Sequence, residues 1–249
     1  MVWSMKQKRN PLGDIIKHKA RLCVGGHKSI PFVDYWDTFA PVISWPTVRL
    51  IFTLALVSNW HIHSIDIILA YPQADIKTDI FLQPLRVPFD FPIPDLPNPL
   101  DHLTKVYKLI KNLYGLKDAG NTWFQHLESG LVKRGWHPSS INKCLYFKDN
   151  MLLLVYVNDA CIIFPDKSAI DKKIKSLQRD YTLTNDDELQ DYLGTLFIRN
   201  PNGSVTLTQP CMLARLFKLL NIDPANPNTK RHDIPATEVL DHNPTNTPR

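Results

Sequence analysis

Two runs of apolar residues, Met151–Val157 and Ala160–Phe164, meet at the polar pair Asn158-Asp159. Their apolar residues are nearly continuous, so the two runs read as central strands covered on at least one side and joined by a tight turn. The whole stretch from Met151 to Phe164 is 14 residues, too short and too polar at its middle to span a bilayer. A hairpin of this kind has to sit inside a sheet, with other elements packed over it. It also carries a carboxylate, Asp159, where a charge is costly unless it is paired or bound to a cation. A second acid has the same character. His61–Leu69 alternates as a strand with Ile62, Ser64, Asp66 and Ile68 on one face.

The remaining elements can be read around these strands. Val2–Lys8 and Ile15–Val24 form a hairpin across Asn10-Pro11-Leu12-Gly13-Asp14. Ser44 caps a helix with Pro46 in its first turn, and Val48, Ile51, Phe52, Ala55 and Leu56 recur at helical spacing. Ile80–Gln83 and Val106–Leu109 are short strands. Asp118–Arg134 is a helix with Trp123, Leu127 and Leu131 on one stripe, and Ser168–Tyr181 is another, capped by Ser168. Leu189–Arg199 and Ser204–Thr208 make a hairpin, and Cys211–Leu220 is a last helix. The expected class is α+β: an antiparallel sheet with helices on one face.

Composition removes several classes. Hydrophobic residues at 44% and charged residues at 21% are ordinary globular values. The four cysteines, Cys23, Cys144, Cys161 and Cys211, are widely spaced with no Cys-x-x-Cys pair. Neither a zinc framework nor a disulfide framework is expected from them. The N-terminus has no apolar signal region, so the setting is expected to be intracellular, cytoplasmic or nuclear, with no membrane partner. The 20 prolines concentrate in two places. One is Pro84–Pro99, read as an extended connection, and the other is Pro224–Pro248, read as a tail. The net charge of +5 concentrates too: Met1–Ile30 holds seven Lys/Arg against Asp14, and Lys105–Lys143 holds seven against Asp118 and Glu128. Two such segments suit a polyanion, although solvated lysines on helix and strand faces would give the same count.

If Asp66 and Asp159 converge, they supply oxygen ligands for Mg²⁺. Two such ions a few Å apart are a standard device for in-line attack at phosphorus. The competing account has each Asp exposed at a strand end, without a role.

Tyr156-Val157-Asn158-Asp159, between Leu152-Leu153-Leu154-Val155 and Ala160-Cys161-Ile162-Ile163, resembles the Tyr-Val-Asp-Asp hairpin of reverse transcriptases. Other pieces follow in the order of the copia-type retrotransposon enzymes: Lys19-Ala20-Arg21-Leu22, Asp34-Tyr35, Phe39-Ala40-Pro41-Val42, Val48-Arg49, Ile65-Asp66 with Ala70-Tyr71, Leu113-Tyr114-Gly115-Leu116-Lys117 with Trp123, Cys144-Leu145-Tyr146 and Leu193-Gly194. The resemblance runs from about Val2 to Leu220. It implies a right-hand polymerase with a ferredoxin-like antiparallel palm sheet. Residues 1–60 would be partial fingers, 61–83 the palm strand with the first catalytic Asp, and 84–143 a connection and a fingers/palm helix. Residues 144–208 would be palm with the catalytic and primer-grip-like hairpins, 209–222 the start of a thumb, and 223–249 a flexible tail.

It further implies Asp66, Asp159 and Asn158 as the catalytic and metal-binding residues for two Mg²⁺ ions. Lys19 and Arg21 would lie over the triphosphate, where a guanidinium binds phosphate oxygens bidentately. Tyr71 would gate the sugar, and Tyr114, Gly115 and Lys117 would line the nucleotide and template side. Leu193 and Gly194 would begin the primer grip. The implied partners are an RNA or DNA template with primer, and deoxynucleoside triphosphates. The chain departs from the family at Asn158, where the family has a metal-binding Asp, and at Ala119-Gly120-Asn121, where it has Ser-Pro-Arg. Pro72 stands where a larger apolar residue is usual. The expected function is RNA-directed DNA polymerisation, impaired by Asn158. The alternatives are a non-catalytic nucleic-acid-binding remnant and an unrelated ferredoxin-like binding module. The expected chain is a polyprotein fragment that starts within the first fingers strand and exposes apolar strand edges there.

Overall fold

The computed structural model describes residues 1–10, 12–83, 105–201 and 203–223. The strands are β1 Val2–Arg9, β2 Ile15–Cys23, β3 His61–Ile67, β4 Phe81–Leu82, β5 Tyr107–Lys108, β6 His137–Pro138, β7 Leu145–Lys148, β8 Met151–Tyr156, β9 Asp159–Phe164, β10 Leu183–Glu188, β11 Asp191–Tyr192, β12 Thr195–Arg199 and β13 Val205–Thr208. The α-helices are α1 Trp45–Val57, α2 Ala70–Gln73, α3 Ala119–Lys133, α4 Lys167–Leu177 and α5 Pro210–Leu219. Residues Met1–Thr208 form one compact unit, and α5 belongs to a second that begins at Gln209. The proline-rich connection expected over 84–99 and the tail beyond Asp223 lie outside the described residues.

The apolar hairpin is central, as its composition requires. A six-stranded antiparallel sheet runs β10-β3-β9-β8-β7-β6. Within it, β3-α3-β8-β9-α4-β10 is a split β–α–β arrangement, with the strand that carries Asp66 beside the strand that carries Asp159. Alternation sends Ile65, Ile67, Leu153, Val155 and Ile162 to one face, against Trp123, Leu127 and Leu131 of α3 and Ile170, Ile174 and Leu177 of α4. Ile62, Leu152, Leu154, Cys161 and Ile163 go to the other, against Val48, Ile51, Phe52 and Ala55 of α1 with Tyr192 and Phe197. Helices therefore cover both faces, which corrects the one-face expectation. The physical reason lies in β8 and β9: strands apolar at nearly every position have two faces to bury.

Three local features also differ from the sequence expectations. The hairpin turn is Val157-Asn158, because Tyr156 pairs with Asp159; Asp159 therefore opens β9 instead of sitting at the tip. Asp166, not Ser168, caps α4, its carboxylate accepting from the Ser168 N–H at 2.8 Å. The acidic segment Leu183–Glu188 is an edge strand, which its polarity concealed. Other features agree. The Ser44 side chain accepts from Thr47 N–H at the start of α1, and β1 pairs with β2. Asn10 closes the β1–β2 turn, its side-chain oxygen accepting from the N–H groups of Leu12 and Asp14.

Truncating the fully buried Ile163 or Leu154 to Ala is expected to cost about 2–5 kcal/mol in urea unfolding of the full chain. The same change at exposed Ile141 is expected to cost less than about 0.5 kcal/mol.

Candidate active site

β3 and β9 pair so that Asp66 lies directly opposite Asp159. The alternation that buries Ile62 and Ile163 on one face puts both carboxylates on that same face. The turn between them is fixed on two sides. The indole N–H of Trp123 donates to the Val157 carbonyl at 2.8 Å, and the Ile67 N–H donates to the Asn158 carbonyl at 2.7 Å. Val157 itself takes φ 56°, a left-handed conformation unfavourable for a β-branched residue and held by these two bonds.

So anchored, Asn158 turns its amide toward the acids. Its Nδ2 donates to Asp66 Oδ1 at 3.0 Å and to Asp159 Oδ1 at 3.2 Å. One neutral NH₂ group thus bridges two carboxylates, where an ion shared by both would also have to sit. The carboxyl of Asp159 is pushed up to about 6, first by burial and then by the charge of Asp66, while Lys8 and Lys19 pull it back down. Asp191, just before the β11–β12 turn, adds to the upward push.

Beside the acids lies an aromatic and basic cluster. The rings of Tyr71 and Tyr114 are 4.8 Å apart, and the Arg21 guanidinium lies 4.9 Å from the Tyr114 centroid. The Nε of Arg21 is buried without a hydrogen-bond partner among the described residues. Burial and Arg21 lower the pKa of Lys19, and the charge of Asp66 raises it. The hairpin carrying these bases is locked to the Tyr114 loop, where Val24 N–H donates to the Tyr114 carbonyl at 2.7 Å. Gly115 makes this approach possible: at φ +95°, a Cβ there would stand 2.2 Å from the Val24 carbonyl oxygen.

The structure gathers some of the candidate residues and separates others. Asp66, Asp159 and Asn158 touch one another, and Arg21, Tyr71 and Tyr114 gather beside Gly115. Lys117 is exposed in the loop before α3. Leu193 and Gly194, at φ 52° and 76°, form the two-residue turn joining β11 to β12. The departure at Asn121 has a structural use, since its buried amide donates to Asp37 Oδ2 at 3.1 Å and to the Phe39 carbonyl at 2.6 Å. Sequence reasoning missed Asp191 as a neighbour of the acids. It also placed the turn one residue late: Asn158-Asp159 and Val157-Asn158 are both two-residue loops, so loop length does not distinguish them and only the pairing of Tyr156 with Asp159 does.

The family described as reverse transcriptase (RNA-dependent DNA polymerase) matches residues 1–234. The chain belongs to the copia-type reverse transcriptase family. It is 30% identical over 231 residues to the retrovirus-related Pol polyprotein from transposon RE1 of Arabidopsis thaliana, covering 91% of this chain and 15% of that protein. It is 26% identical over 231 residues to the Pol polyprotein from transposon TNT 1-94 of Nicotiana tabacum, covering 90% and 17%. With the transposon Ty1-H Gag-Pol polyprotein of Saccharomyces cerevisiae the identity is 29% over 243 residues, covering 90% and 12%. The chain therefore spans less than a fifth of the length of these relatives. No solved structure gives a significant match.

Reverse transcriptases generally work with divalent metal, and the donor set fits one in part. Two carboxylates face each other with one pKa raised toward neutrality, an arrangement that a hard cation would relieve. The third donor does not fit as it stands, because it presents N–H and not oxygen.

The raised pKa of Asp159 gives a signed prediction. The folded state holds this proton more tightly than the unfolded state, so the group destabilises the fold above about pH 6, and that cost disappears as pH falls toward 4. Asp159→Asn is therefore expected to raise the metal-free melting temperature at pH 7.5. Its advantage over the parent should vanish near pH 4, followed by circular dichroism across that range.

Proposed function

We propose that this chain is the polymerase part of a copia-type retrotransposon polyprotein, built to extend a primer on an RNA or DNA template, and that this copy is impaired at its metal centre. The observation that carries the reading is the cross-strand pair Asp66 and Asp159 on one face of the sheet, beside the Arg21–Tyr71–Tyr114 cluster. In this reading residues 61–83 and 144–208 are palm, 1–60 fingers, 84–143 a connection with the fingers/palm helix, and 209–222 the start of a thumb.

The reaction would be attack of the primer 3′-hydroxyl on the α-phosphorus of a deoxynucleoside triphosphate, with pyrophosphate leaving. Asp66 and Asp159 would hold the divalent ions, with Mg²⁺ the expected species; when bound, such ions neutralise the charge that develops on the phosphoryl oxygens. Arg21, whose Nε has no hydrogen-bond partner among the described residues, and Lys19 would bind the triphosphate. Tyr71, held against Tyr114, would pack under the incoming sugar and exclude a 2′-hydroxyl. Gly115 lets the Tyr114 loop approach the fingers hairpin, and Lys117, exposed, would meet the template backbone. The Leu193-Gly194 turn would hold the primer end.

Asn158 sets the level of activity. A carboxylate there would make three acids around the ions. The carboxamide leaves two and turns a donor toward them, so metal binding and stabilisation of the transition state both fall. In a primer-extension assay with Mg²⁺, Asn158→Asp is expected to incorporate nucleotide about 10²–10⁴ times faster than the parent chain. Equal rates would refute the impairment. No incorporation by either chain, combined with no salt-sensitive binding of a primer–template duplex, would refute the polymerase reading.

A further inference from the structure

A second cluster of ligating groups lies on the opposite face of β3, away from the carboxylate pair. His63 is fully buried, and neither ring nitrogen has a hydrogen-bond partner among the described residues. An imidazole buried in this state leaves at least one donor and one acceptor unsatisfied, which is costly away from water. Two carboxylates stand in front of it. Asp171 of α4 brings Oδ1 to 3.8 Å from His63 Nδ1. Asp187 arrives from β10, where the register with β3 breaks between Asn185 and Glu188. It takes φ 58° at that irregularity, the kind of local distortion that re-aims a side chain. One ligand atom from each of His63, Asp171 and Asp187 lies within 4.8 Å of the other two.

We infer that His63, Asp171 and Asp187 form a second, structural metal site, selective for a nitrogen-accepting first-row divalent ion of the Zn²⁺ class. Two atoms each about 2.0–2.2 Å from one ion can be no farther apart than about 4 Å, and the His63–Asp171 pair already meets that limit. Asp171 is part-exposed and Asp187 exposed, so each can close the remaining gap by rotating, and the ion has a path in from solvent. One imidazole with two carboxylates favours Zn²⁺ over Mg²⁺, which prefers an all-oxygen shell. Lys167 and His61 also face His63 electrostatically and oppose a cation; Asp171 and Asp187 favour it. The bound ion would satisfy one of the orphaned nitrogens and tie β3, the strand that carries Asp66 three residues on, to α4 and β10. The site shares no residue with the Asp66–Asp159 pair, so it stands whether or not the polymerase reading does.

The test uses the full chain, titrated with ZnCl₂ by calorimetry and with CoCl₂ by visible absorption. One equivalent that persists in Asp66→Asn, where the Asp66–Asp159 pair is broken, is expected to bind and raise the melting temperature, because the assembled site exists only in the folded state. Asp171→Asn and Asp187→Asn should each weaken it about tenfold or more, and Asp66→Asn should leave it unchanged. Both Asp171 and Asp187 are solvent-accessible, so these two variants decide the matter even if His63→Gln fails to fold. The inference is overturned if the parent chain binds no Zn²⁺, or if Asp171→Asn and Asp187→Asn bind as tightly as the parent. It is also overturned if Asp66→Asn abolishes the site, or if a thiolate-to-Co²⁺ absorption band shows that cysteine holds the ion.

Discussion

Two carboxylates facing each other across neighbouring strands of a packed sheet repel one another, and the rest of the site can be understood as a response to that. Asp66 and Asp159 occupy directly opposed positions on one face, with Asp191 and burial adding to the strain on Asp159. A protein holds such a pair either by lending it a proton, by placing cations near it, or by turning donors toward it. All three are visible here. The pKa of Asp159 is raised, Lys8 and Lys19 of the β1–β2 hairpin pull it the other way, and the Asn158 amide bridges both side chains. The geometry of the turn makes the last possible, because Trp123 and Ile67 grip the Val157 and Asn158 carbonyls and leave the Asn158 side chain facing inward.

The same arrangement explains why one residue carries so much of the functional argument. An Asp at position 158 would add a third negative charge to a crowded, part-buried pair, which is tolerable only with cations in place. Asn instead supplies a neutral donor to both carboxylates. The chain can then hold its two remaining acids without metal, at the expense of a donor set suited to binding one. In the proposed reading, the sheet and the turn keep their form with Asn158 in place, because the turn is held by the Trp123 and Ile67 bonds to backbone carbonyls.

Much of this was legible in the sequence, and the limits have physical causes. The hairpin was evident because β8 and β9 are apolar at nearly every position, and Asp66 stood out against its apolar strand. The same continuity should have implied cover on both faces, which α1 and α3 with α4 supply. The edge strand β10 was invisible because Thr184–Glu188 is polar throughout, with no apolar alternation to mark its pairing with β3. Asn121 read as a loss, and only contacts across the fold show that it pins the Asp37–Phe39 segment. Arg21, Tyr71 and Tyr114 are implied by the family resemblance, but the closeness of the two loops rests on Gly115 and a backbone bond from Val24. The orphaned imidazole of His63 had no sequence signature, since its partners come from a helix and a strand more than a hundred residues away in the chain.

The central claim is that the Asn158 amide stands where a cation between Asp66 and Asp159 would otherwise be held. Anomalous diffraction from crystals of the parent chain and of Asn158→Asp, soaked in the same graded series of Mn²⁺ concentrations, tests it most directly. The account predicts a Mn²⁺ peak between the two carboxylates of Asn158→Asp at concentrations at least about tenfold lower than in the parent, whose amide nitrogen keeps its place between the acids. Equal occupancy in both crystals, with the parent's amide oxygen turned onto the ion, would contradict it.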